Sequence, residues 1–164
     1  MKLRRFGIIL SLMLAALVTS GAAFYIIWLK DNPEKGRILE IRDTDSDKLY
    51  GRWPLEGAGE FSIEFIHSVN QSPVRESFGI EDGMIRPLAV RFSSFGAGMQ
   101  SDLEEGMSLI HDGNIMILTG FKSSFRELNY IVGTVSDHLL FINGETISLR
   151  ELCGRNAHIS IHLK

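Results

Sequence analysis

Three dipeptides set the architecture. Asp82-Gly83, Asp112-Gly113 and Asn143-Gly144 each stand between two short stretches rich in alternating apolar and polar residues. Asp-Gly and Asn-Gly accept the positive φ angles of a two-residue type I′ turn, so each dipeptide predicts a β-hairpin. The flanking patterns agree. Over Glu60–Ser68, Phe61, Ile63, Phe65 and His67 share one face, and Ser62, Glu64 and Ser68 share the other, with Ile66 the apolar exception. Val74, Glu76, Phe78 and Ile80 align in the next stretch, and Met84–Phe92 returns. Pro87 cannot donate to a ladder, which predicts an edge strand or a bulge there. Further strands are expected over 37–42, 48–55, 107–111, 114–119, 127–132, 135–142, 146–149 and 157–163. After residue 30 no sustained helical period and no repeat occurs. The expected fold is all-β: an antiparallel β-sandwich or barrel of about 8–10 short strands.

The N-terminus has a different character. Phe6–Leu29 is 24 residues without a charge. At about 1.5 Å per residue a helix of that length spans the roughly 30 Å hydrocarbon core of a bilayer. Lys2, Arg4 and Arg5 precede it, which favours the N-terminus inside and the rest outside; Phe24, Tyr25 and Trp28 suit the lipid–water boundary. The expected organisation is a membrane anchor or signal segment over residues 1–30, a tether over 31–36, and an extracytoplasmic (periplasmic or extracellular) β domain over 37–164. The alternative is secretion after signal cleavage near Ala22 or Ala23. A buried core helix fits less well, because such runs are shorter and lack a basic flank.

Charge narrows the partners. Four of the 17 lysines and arginines lie in residues 1–30, leaving 13 against 20 acidic residues, a net of −7. An acidic domain repels phosphate backbones, so no nucleic-acid partner is expected. The single cysteine, Cys153, excludes an intrachain disulfide, and the fold must rest on its core alone.

The segments HSVNQSPVRESF (His67–Phe78), RFSSFGAGMQSDLEEG (Arg91–Gly106) and GTVSDHLLFINGETISL (Gly133–Leu149) resemble a family of small bacterial proteins, domain of unknown function family 1850. The resemblance extends over roughly residues 37–163. It implies no established activity. It implies an accessory role beside TRAP-type solute uptake systems of the TAXI class, whose transporter subunits become the expected partners.

Several polar residues have no place in a simple core. His67 and Glu76 project to apolar faces by alternation, and so does His138 beside Leu140 and Ile142. Each inward polar group costs about 1–3 kcal/mol unless paired. This predicts that His67 and Glu76 approach across neighbouring strands, with His138 as a third member. Such a network either fixes strand register or forms a ligand-binding or pH-responsive site. A metal site of two histidines and one carboxylate is chemically admissible, but close ligand spacing is lacking, and no metal or cofactor is expected.

The Ser68–Pro73 loop, with Ser68, Asn70 and Ser72, reads as turn chemistry or as a polar rim for a small anionic solute. Gly96 and Gly98 allow close approach of a ligand or another chain, or a simple crossover. Asp102, Glu104 and Glu105 lack the alternation of a calcium loop. The candidate ligand- or partner-binding set is therefore His67, Ser68, Asn70, Ser72, Glu76, Gly96, Gly98, Glu105 and His138. No catalytic residue is assigned. His67 and Ser68 are neighbours on opposite strand faces, no nucleophile elbow occurs, and Cys153 lacks a basic setting except Arg155. His158 and His162 lie roughly 13 Å apart along one strand, too far to chelate one ion. The leading expectation is a membrane-anchored accessory or binding module of a TRAP-type uptake system. The alternatives are a small hydrolase or metal-dependent enzyme using His67, Glu76 and His138, or an envelope structural protein.

Overall fold

A computed structural model describes residues 37–69, 71–93, 103 and 105–164. The expected anchor and tether, and with them Asn70, Gly96, Gly98, Asp102 and Glu104, lie outside the described residues. Among the described residues no helix is long and apolar enough to cross a membrane.

Among the described residues eleven strands form two open antiparallel sheets. The smaller sheet contains β1 (Ile38–Asp43), β2 (Leu49–Pro54), β8 (Glu127–Ile131) and β11 (His158–Leu163), in the order β2-β1-β11-β8. The larger contains β3 (Phe61–Ile66), β4 (Pro73–Glu81), β5 (Met84–Phe92), β6 (Ser108–Asp112), β7 (Ile115–Thr119), β9 (His138–Ile142) and β10 (Glu145–Ser148), in the order β10-β9-β3-β4-β5-β7-β6. Neither sheet closes on itself, so of the two expected forms the sandwich is present and the barrel is not. Alternation produces the core. Leu39 and Ile41 of β1 and Ile159 and Ile161 of β11 meet Phe61, Ile63, Phe78, Leu140 and Ile142 of the larger sheet, all at most 5% exposed. Their burial is the main driving force of the fold, at roughly 1.5–3 kcal/mol per large side chain.

Two of the three predicted turns follow their chemistry, while at the third only Gly113 takes a positive φ (59°) and Asp112 pairs with Ile115 as the last residue of β6. Asp82 and Gly83 adopt φ of 51° and 72°, and Asn143 and Gly144 adopt 51° and 78°. Pro87 sits at a bulge: the β4–β5 register runs Ser77↔Ala89 and then Phe78↔Pro87, leaving Leu88 unpaired. The extra residue lets Leu88 fold over Gly79, where a Cβ would come 3.2 Å from it. The bulge also explains how a proline survives in an interior strand, because the β5–β7 ladder spans only Ala89–Phe92.

A short helix, α1 (Leu149–Cys153), joins β10 to β11 and was not legible from periodicity. Its signal is the capping box Ser148-x-x-Glu151. The Glu151 N–H donates to Ser148 Oγ (3.0 Å), and Asp137 accepts from the Arg150 N–H (3.0 Å) and from the Ser148 hydroxyl.

The outer face of the smaller sheet holds a buried charge. Glu40, 1% exposed, points away from the core. It is covered by Arg42 (2.9 Å), Arg52 (3.2 Å), His162 (3.7 Å) and Lys164 (3.7 Å). The cross-strand register Arg52↔Glu40↔His162 brings these groups together from β2, β1 and β11. Burial pushes the Glu40 carboxyl up, but the Arg42 hydrogen bond and the Arg42, Lys164 and Arg52 charges outweigh it and hold it below its ordinary value.

Candidate functional site

Four strands cannot cover seven. β8 is the edge of the smaller sheet, while the larger sheet continues past β5 to β7 and β6. A second apolar cluster, Val74 of β4, Phe92 of β5 and Leu118 of β7, runs onto this extension. Between β8 and the β4–β5 part of the larger sheet, the interior opens into a cleft of about 500 Å3. The connection after β7 crosses it, contributing Phe121 and Phe125, and Glu76 and Tyr130 face each other from opposite sheets.

The register explains that pairing. Glu76 lies between Val74 and Phe78 on the inner face of β4, opposite Ile63 of β3 and Val90 of β5. It therefore falls between the two apolar clusters, one containing Phe78 and the other Val74. On β8, Leu128 and Tyr130 turn inward while Glu127, Asn129 and Ile131 are exposed. The Tyr130 hydroxyl donates to Glu76 Oε2 at 2.6 Å. Burial pushes the Glu76 carboxyl up, and the tyrosine hydrogen bond opposes this only in part. Burial, and then the Glu76 charge, push the Tyr130 phenol up as well, so the phenol remains a donor.

His138 reaches this pair indirectly. Its ring stacks on Phe65 (centroids 5.1 Å) and meets the Tyr130 ring edge-on (6.1 Å). Its Nδ1 accepts the Gly133 N–H (3.1 Å), which leaves the ring proton on Nε2. Burial lowers its pKa, with a smaller raising effect from Asp137, so the ring is neutral near neutral pH.

His67 is elsewhere. Glu76 is opposite Ile63, four residues before His67, a separation of roughly 13 Å at about 3.3 Å per residue. The partner of Glu76 is thus Tyr130, and the expected approach of His67 to Glu76 does not occur. His67 closes the β3–β4 loop: its Nδ1 accepts the Val69 N–H (3.2 Å), its carbonyl accepts the Gln71 N–H (2.9 Å), and its N–H donates to the Ser72 carbonyl (2.9 Å). Ser68 is exposed, and its carbonyl accepts the Gln71 side-chain amide (2.6 Å). Among the described residues the Ser72 hydroxyl has no hydrogen-bond partner. Glu105 is exposed in a turn and does not line the cleft. No group of three or more His, Cys, Asp or Glu residues is placed to hold a metal ion, among the described residues.

Tyr130 is the residue that sequence reasoning missed. Its signal was its inward register with Leu128 in an otherwise exposed strand. A tyrosine in that position brings a hydroxyl that requires an acceptor when buried.

The fold and the cleft define the class: an open antiparallel two-sheet β protein with one carboxyl–phenol pair between its sheets. Within that class the chain belongs to the family described as domain of unknown function DUF1850, which matches residues 61–149, more than half of the chain. The match spans β3 to β10 and so includes both Glu76 and Tyr130. No curated protein and no solved structure matches the chain.

Proposed function

We propose that the chain is a non-catalytic binding module, held outside the cytoplasmic membrane by residues 6–29, that serves a TRAP-type solute uptake system of the TAXI class. The observation that carries the binding part is the inter-sheet cleft. It combines apolar walls with one convergent polar pair, as small-molecule sites do. The transporter link rests on the family resemblance alone. The enzymatic alternative required His67, Glu76 and His138 to act together, and the strand register supports it less, since His67 sits in the β3–β4 loop.

Two measurements test the two parts. Titration of the full chain in nanodiscs with benzyl alcohol, followed by chemical-shift changes of Phe125 and Tyr130, tests the cleft. Unmoved signals at millimolar probe would remove the binding function. A pull-down from solubilised membranes tests the transporter link. Recovery of a permease subunit is expected, and failure to recover one would remove the link without touching the cleft.

A further inference from the structure

The chemistry of the cleft selects among small solutes. Two carboxylates border it, Glu76 within and Glu127 at the rim, together with four aromatic rings, Phe78, Phe121, Phe125 and Tyr130. Among the described residues no lysine, arginine or histidine lines it. Lys122 instead turns toward Gly106, and Arg126 follows Phe125 without joining the lining. Arg75 is on the outer face of β4, paired with Glu64 (2.8 Å) and stacked over the Phe141 ring (4.0 Å). The Tyr130 hydroxyl is already committed to Glu76 Oε2.

An anionic solute entering this space would meet carboxylate oxygens and ring faces with no cation to receive it. Placing it there would leave like charges together in a poorly solvated site. A neutral apolar solute would fill the volume but leave Glu76 with a single donor. An organic ammonium ion satisfies both features. Its N–H groups pair with the half-buried carboxylate, and its charge sits against aromatic rings, a favourable cation–π arrangement. We infer that the inter-sheet cleft selects amines with an apolar body, with Glu76 as counter-ion and the aromatic rings as walls. This rests on the cleft being a binding site.

The test uses three probes of nearly equal shape and different charge: benzylamine, benzyl alcohol and phenylacetate. Each is titrated calorimetrically into the full chain in nanodiscs at neutral pH, with empty nanodiscs as the blank. Benzylamine is expected to bind at least tenfold more tightly than benzyl alcohol, and phenylacetate more weakly than either. Glu76→Gln keeps the shape and removes the charge. It is expected to bring benzylamine within about twofold of benzyl alcohol. Phenylacetate binding as tightly as benzylamine would overturn the inference while leaving the cleft a binding site. An undiminished amine preference in the folded Glu76→Gln variant would overturn it as well. If no probe binds, the cleft reading and this inference fall together.

Discussion

Glu76 and Glu40 are both carboxylates on strands, and their surroundings drive them in opposite directions. Glu76 has one neutral donor and apolar neighbours, so its ionised form is disfavoured. A carboxyl raised in the folded state contributes stability below its unfolded value and loses that contribution as pH rises through the folded value. Glu76→Gln is therefore expected to stabilise the domain at neutral pH by about 1 kcal/mol, with the gain shrinking toward pH 4. Thermal melts across that range check this, and a pH-independent difference would contradict it. Tyr130→Phe removes the donor and is expected to cost about 1–3 kcal/mol at neutral pH, falling to about half that or less in the Glu76→Gln background. The double-mutant cycle measures the coupling directly.

Glu40 shows the reverse. Its carboxyl is lowered, so its contribution is present above the ordinary carboxylate value and fades as pH falls through the folded value. Asp43 acts in the same sense: hydrogen bonds from Ser46 and Tyr50 hold it down at about 2. Stability is thus expected to decline from about pH 4.5 toward pH 2, more gently in Glu40→Gln, which itself costs about 1–3 kcal/mol at neutral pH. The cost stays below that of breaking a fully enclosed pair, because Arg52 and Lys164 are half exposed and water screens them. Denaturant titrations at stepped pH would show both effects.

At the scale of elements, the hairpin ends hold the sheets in register. Asn143 turns the β9–β10 hairpin with positive φ, and its side chain also reaches the segment following β2. Its amide donates to the Pro54 carbonyl (2.6 Å) and accepts the Glu56 N–H (3.2 Å). One residue therefore serves a turn in the larger sheet and the end of a strand in the smaller. Asn143→Gly keeps the turn and removes both bonds, with an expected cost of about 1–2 kcal/mol by chemical denaturation. Gly83→Ala places a Cβ at φ of 72°, strained by about 1–2 kcal/mol, although nothing lies within 4 Å of the added atom. Since the site is open, a loss well below that range would mean the turn adapts.

Strands and turns were legible because period-two alternation and Asp-Gly or Asn-Gly pairs are local signals. Met84–Phe92 appears with the predicted limits, and the bulge at Pro87 was signalled by its missing N–H. The rest depends on distance. Which strands share a sheet is set by contacts between residues far apart, such as Glu40 with His162, and a five-residue helix is too short to show a period. For the site, alternation placed Glu76 and His138 on inner faces. It could not supply the register that sets Glu76 opposite Ile63 rather than beside His67, nor bring Tyr130 across from the other sheet.

At the scale of the whole β domain, the unequal sheets decide where the interior is left uncovered. Seven strands against four leave an uncovered interior strip, and the cleft occupies part of it. A bulkier side chain at Val90, opposite Glu76 on the inner face, would close the space from the β5 side. Val90→Phe is expected to abolish benzyl alcohol binding while costing about 1–3 kcal/mol at most, since the cleft already has room for the added ring. Retained binding in the folded variant would place the site elsewhere.

The position of β1 has a consequence for biogenesis. It lies between β2, its immediate successor, and β11, made more than a hundred residues later, with Ile38 and Lys164 exchanging backbone hydrogen bonds. During synthesis β1 can pair at once on one side only. Its other edge, with Leu39 and Ile41, waits for β11. Chains stalled before His158 are therefore expected to remain protease-sensitive and to depend on a holdase, acquiring resistance in a single step once β11 emerges.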